Sequence, residues 1–219
     1  MFRDSPIGIL TEAVFGFALA VGALSLTAAN PQTVMEIVGG LLLFSLSFVI
    51  LVVIWWGTSD LISKLDQGRS TTIFLNIALL FFVAIEPYLL NILSTSQDLF
   101  PFTSTLYAID MSFLMGISAA LCHILLKEKK ETLGAHQLNF YTMNRNGQFV
   151  FAGLFLLSIV PQFAEWILAG FSVRVLIWFT TLALSILVSA GNRKKQAQNT
   201  GHKAPETSMR SSETVFRRK

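Results

Sequence analysis

The chain has 219 residues, 53% of them hydrophobic and 13% charged, with a formal net charge of +3. A soluble domain carries about 25% charged residues, so there is too little polar side chain here to cover a water-facing surface. The composition suits a protein whose solvent is a lipid bilayer, and the placement of the basic residues, taken up below, argues against a nucleic-acid partner.

A spanning helix needs about 20 mostly apolar residues, and six stretches qualify. The first is expected over Ile7–Leu26, with Glu12 near its start. The second covers Ile37–Trp56, and the third covers Thr72–Leu93 with Glu86-Pro87 inside it. The fourth runs over Phe102–Leu126 and contains Asp110. The fifth runs over Phe149–Leu168 with Glu165 near its end, and the sixth covers Val173–Ala190. Ala29-Asn30-Pro31-Gln32 reads as a tight turn, since proline cannot continue a helix and asparagine favours turn geometry. Gly57–Ser70 and Lys127–Gln148 read as polar loops, and the fifth and sixth helices follow one another almost directly.

Lysine and arginine concentrate on the cytoplasmic side of membrane proteins. With the N-terminus placed inside, every one of the 16 basic residues except Arg174 falls inside. Six crossings with both termini cytosolic are therefore expected. Arg3, the following apolar run and Thr27-Ala28-Ala29 also resemble a signal peptide, but the run is long for one and Glu12 interrupts it. Residues 1–191 read as a six-helix transmembrane domain. Residues 192–219 are polar and basic, without apolar periodicity, and read as a disordered cytosolic tail able to touch anionic lipid.

Charges inside a bilayer are costly, so each marks a candidate site. Glu12, Gly16, Ala20, Ala23 and Thr27 share one stripe of the first helix, small between polar ends. Small residues permit close helix approach. Either this helix packs tightly or lines a path with Glu12 at an inner vestibule, or Glu12 simply reaches the headgroups. Glu86 and Asp110 lie at comparable depth, with Tyr88, Asn91 and Tyr107 nearby in sequence. Two adjacent carboxylates in a low dielectric would share a proton, making the pair a possible intramembrane proton or cation site; the alternative is a hydrogen-bonded network holding helices together. Glu165 and Arg174 read as an ion pair across the outer turn. Asn76 reads as an interhelical hydrogen-bonding group, and His123 as an interfacial residue. The single cysteine, Cys122, excludes an intrachain disulfide and reads as a buried, inert thiol. No metal site is expected, and no HExxH, GxSxG, CxxC or phosphate-binding glycine loop suggests an enzyme or a bound cofactor.

The run Ile9-Leu10-Thr11-Glu12-Ala13-Val14-Phe15-Gly16-Phe17-Ala18-Leu19-Ala20 resembles the Phe-Ser-Asp signature that opens the first helix in the transmembrane-protein-175 family of potassium channels. Trp55-Trp56, Leu75-Asn76, Leu79-Leu80-Phe81-Phe82, Pro87 and Tyr107-Ala108 follow in the family's order, so the resemblance covers about Ile7 to Leu126. It implies a six-helix unit that assembles as a homotetramer around an axis, with the first helix lining a pore closed by bulky apolar side chains. On that basis the signature residues are Leu10, Thr11 and Glu12. The constriction is set by Phe17, with Ala20 and Leu24 on the same face and Thr27 toward the outer mouth. The chain departs from the pattern at Leu10, where the family has an aromatic residue, and at Pro6, where it has an arginine. The histidine region after helix two reads Gly57-Thr58-Ser59-Asp60.

The expectation is thus an all-α membrane protein, a potassium-selective or weakly selective channel for monovalent cations in the cell membrane. The rivals are a proton-coupled carrier working through Glu86 and Asp110, and a non-conducting scaffold.

Overall fold

The structure is a computed structural model and describes residues 6–28, 33–66, 68–95, 97–168 and 171–184. The turn expected at Ala29–Gln32 and the tail expected over 192–219 lie outside the described residues. Apart from one two-residue hairpin, the regular structure is helical. Four helices are long and apolar enough to cross a membrane: α1 (Pro6–Ala28), α2 (Val34–Lys64), α3 (Ser70–Thr95) and α4 (Phe100–Lys129). They are followed by α5 (Ala135–Leu157), the single turn α6 (Gln162–Glu165), the antiparallel strands β1 (Ile167–Leu168) and β2 (Phe171–Ser172), and the shorter apolar helix α7 (Val173–Leu184). Met1–Thr181 form one compact unit. Leu182–Lys219 form a second, of which only residues 182–184 are described.

Local chemistry explains the ends that differ from expectation. At its start, α2 is capped by Thr33, whose hydroxyl accepts the Glu36 backbone N–H at 3.2 Å. This is half of a Thr-x-x-Glu capping box and fixes the helix three residues earlier than hydropathy suggests. At its other end α2 runs on to Lys64, through most of what reads as a polar loop. Thr58, Leu61, Ile62 and Leu65 are buried there at helical spacing, and Leu61 and Leu65 pack on Leu121, Leu125 and Leu126 of α4 and Tyr141 of α5. Lys64 in the last turn faces Asp60 at 2.7 Å and suits the helix dipole. In α4, Pro101 occupies the first turn, where its missing N–H costs nothing.

The largest correction concerns α5. Much of the stretch read as a loop, and the start of the expected fifth span, form one helix from Ala135 to Leu157. That helix ends well short of Leu168. Its buried residues are Tyr141, Gln148, Ala152 and Phe155, spaced seven, four and three apart, so a single stripe docks on α4 while Asn139 and Asn146 face outward. The chain then turns through Pro161, α6 and the hairpin, where the sequence suggested an almost direct join.

The core follows from this order. Helix α4 occupies the middle of the described fold, packed against α5, α3 and α2, whereas α1 lies to one side, chiefly on α3 and partly on α2. Leu46, Leu51, Ile54, Leu79, Val83, Met111 and Leu114 fill the space among α2, α3 and α4. Trp178 of α7 is fully buried, with ring centroids 5.0 Å from Tyr107 and 5.9 Å from Phe155, and its indole N–H donates to Ser158 Oγ at 2.9 Å.

Candidate functional site: the first helix and a buried carboxyl pair

Two faces of α1 differ sharply. Gly8, Thr11, Phe15, Ala18 and Gly22 are buried and spaced three, four, three and four apart. Leu10, Ala13, Phe17, Ala20 and Leu24 repeat the same spacing and are exposed; Phe17 is 70% exposed and Leu24 65%. At 3.6 residues per turn the two stripes lie on opposite sides of the helix. The first docks α1 within the protomer. The second is an apolar seam of the kind that helices use to pack on copies of themselves. Beside it run Glu12, Gly16 and Ala23, all exposed, and a Cβ at Gly16 would meet nothing within 4 Å. The small residue at position 16 is therefore not required by packing within the protomer. Thr27 lies in the last turn of α1, and its side chain falls outside the described residues.

The three signature positions point in different directions. Leu10 joins the exposed seam and Glu12 the exposed stripe. Thr11 turns inward, donating to the Ile7 carbonyl at 2.8 Å and accepting from Asn76 Nδ2 of α3 at 3.3 Å. Asn76 thus makes the interhelical bond expected of it, and Thr11 acts as a tie between α1 and α3.

Glu86 and Asp110 come together. Glu86 is 1% exposed and Asp110 3%. Ser47 of α2 donates its hydroxyl proton to Glu86 Oε1, a contact that no sequence motif announces. Tyr107 and Asp110 both lie within electrostatic reach of Glu86. The Tyr107 hydroxyl faces this group without a hydrogen bond of good geometry, and Asp110 Oδ2 has no partner among the described residues. Tyr88, by contrast, is 64% exposed and takes no part. Among the described residues no cluster of three or more His, Cys, Asp or Glu side chains could hold a metal ion.

Arg174 corrects another expectation. It makes no ion pair with Glu165, which is exposed. The guanidinium is almost fully buried and donates to the carbonyls of Ser158 at 2.7 Å, Ile159 at 2.9 Å and Val160 at 3.3 Å, capping the end of α5. It also reaches the Pro101 carbonyl and the hydroxyls of Ser104 and Thr105 at the start of α4. Planar guanidinium geometry serves several acceptors at once, which a lysine could not match.

At the opposite end, Tyr141 of α5 donates to Asp60 and accepts from Lys64, joining α5 to α2. Burial, with the Asp60 carboxylate beside it, holds the Tyr141 hydroxyl above its ordinary pKa of 10. Arg69 pairs with Glu128 between the start of α3 and the end of α4. Cys122 is buried, with Asn144 Nδ2 3.6 Å from its sulfur, and His123 is exposed beside Arg145.

Comparison with known proteins adds one match. Residues 7–87, which run from the start of α1 to Pro87 in α3, match the family model described as "Endosomal/lysosomal potassium channel TMEM175". The matched segment contains the α1 seam, the Thr11–Asn76 tie and Glu86, and residues 88–219 lie beyond it. No curated protein matches the chain. The signature read from α1, the apolar helices and the match over residues 7–87 agree, and through that segment this membrane protein belongs to the TMEM175 family of potassium channels.

Proposed function

We propose that the chain is the subunit of a homotetrameric channel for potassium and other monovalent cations, with the pore along the first helices. The observation that carries this reading is the exposed seam Leu10, Ala13, Phe17, Ala20, Leu24 on a helix whose opposite face is already buried. Around an axis, that seam would form stacked apolar rings, with Phe17 and Leu24 the constrictions, Ala20 a wider ring between them and Thr27 nearer the outer mouth. A wholly apolar constriction gates by dewetting. Glu12, exposed beside the seam near the start of α1, would raise cation concentration at the inner entrance.

In this reading the subunit crosses the cell membrane six times. α5 and α7 supply the last two crossings, both termini are cytosolic, and residues 192–219 form a basic cytosolic tail. The topology rests on the one-sided distribution of lysine and arginine.

Purified protein in potassium-loaded liposomes tests the proposal. Flux is expected from the wild type and a changed flux from Phe17→Ala, because the ring that excludes water would widen. Absence of flux from both forms, with the oligomer verified, sinks it. A carrier working through Glu86 and Asp110 would instead show transport driven by a pH gradient, abolished by Glu86→Gln and indifferent to Phe17.

A further inference from the structure

We infer that Ser47, Glu86, Tyr107 and Asp110 form an exchangeable proton-binding site inside each protomer, separate from the exposed seam of α1. Three helices contribute: α2 supplies Ser47, α3 supplies Glu86, and α4 supplies Tyr107 and Asp110. Glu86 lies about 24 Å from the start of α3 and Asp110 about 15 Å from the start of α4 at 1.5 Å per residue, well within both spans. Both carboxyl groups are shut away from water, and a buried ionised carboxylate is tolerated only when paired or neutralised.

No basic partner does this here. Helix α2 carries Glu36, Asp60 and Lys64, all about 16–20 Å or more along the helix from Ser47. Helix α1 offers only Glu12, which is exposed, and α3 only Tyr88, exposed too. The basic residues of α4 lie in its last two turns, and Arg174 of α7 is consumed by carbonyls and hydroxyls. Among the described residues, what faces the two carboxyls is the pair itself and two hydroxyls.

Hydroxyls can donate to or accept from a carboxyl group, so the group closes with a proton. Ser47 already donates to Glu86, which leaves Asp110 Oδ2 and the Tyr107 hydroxyl as the two buried polar atoms without a hydrogen bond. A proton on the carboxyl pair lets one acid donate to its neighbour and removes the repulsion between two like charges. Pro87 sits directly beside the site. Its missing N–H removes the backbone bond to Val83, which leaves α3 most easily bent at this level. Loss of the proton would drive Glu86 and Asp110 apart across the α3–α4 contact. It would act on the helix that carries α1, since α1 packs chiefly on α3 and is tied to it by Thr11 and Asn76.

Infrared spectroscopy of the full chain in lipid tests this without any ion flux, so its outcome is independent of the channel reading. The wild type at neutral pH should show the C=O stretch of a protonated carboxyl, shifted in deuterated buffer and lost as the buffer is made alkaline. The band should be missing from the double variant Glu86→Gln/Asp110→Asn, or from at least one of the two single variants if the double variant does not fold. It should move in Tyr107→Phe. The inference is overturned if the wild type has no such band, if the band survives in all carboxyl variants, or if it is unmoved in Tyr107→Phe. It is equally overturned if potassium or sodium, rather than hydroxide, discharges the band at fixed pH, which would make the site a cation site.

Discussion

Arg174 and Thr11 show how far a single side chain's role depends on what it meets. In the sequence, Arg174 is a lone outward cation nine residues from Glu165, and pairing the two is the natural reading. In the fold it serves four backbone carbonyls and two hydroxyls. Arg174→Ala leaves those acceptors buried and unsatisfied, at roughly 1–3 kcal/mol each. A large drop in thermal midpoint in detergent is expected, whereas Glu165→Gln should leave the midpoint within the error of the measurement. Thr11 keeps the hydroxyl of the family signature, and its position explains why that hydroxyl matters: it accepts from Asn76 across the α1–α3 contact. Thr11→Val keeps the shape and removes the acceptor, so a loss of about 1–3 kcal/mol is expected. Asn76→Ala in the Thr11→Val background should then add little beyond its own packing loss, since the shared bond is already gone; a fully additive double mutant would contradict the tie.

At the level of elements, α1 to α4 were legible because each presents a long apolar run, and capping or proline chemistry sets several of their ends. Helix α5 was not. Its first half carries Asn139, Asn144, Arg145 and Asn146, and the apolar signal is confined to a thin stripe that only the surface of α4 makes meaningful. Proline separates the two readings. Asn146→Pro would be tolerated in a loop, but inside α5 it removes a backbone bond and clashes with the preceding turn, costing about 3 kcal/mol. A sharply lowered yield of folded protein is expected on size exclusion in detergent. The stretch after Leu157 was also hidden, because Trp166, Ile167 and Leu168 look like the end of a span when only hydropathy is counted. Pro161 ends the helix, and Arg174 holds the carbonyls of Ser158, Ile159 and Val160.

For the whole molecule, assembly and orientation carry the functional reading. Because a side chain at Gly16 meets nothing within the protomer, Gly16→Leu is expected to leave subunit folding intact. If the exposed face of α1 meets copies of itself, the same change shifts the oligomer measured by native mass spectrometry or light scattering. An unchanged tetramer would place the axis elsewhere. Orientation has its own test. In a Cys122→Ser background, a cysteine introduced at Asp98 should react with a membrane-impermeant thiol reagent in intact cells, and one introduced at Gly134 should react only after permeabilisation.

Membrane insertion and the first four spans were determined by the sequence alone, because a bilayer demands long apolar helices whatever their neighbours do. The signature on α1 was also readable in one dimension, since it concerns consecutive residues. Tertiary structure decided which face of α1 is spent on its own protomer and which is left over, because burial depends on where α2 and α3 lie. It also decided that Ser47 and Tyr107 join Glu86 and Asp110. These four residues are spread over some sixty positions of chain, and only the packing of α2, α3 and α4 brings their oxygens together where water is excluded.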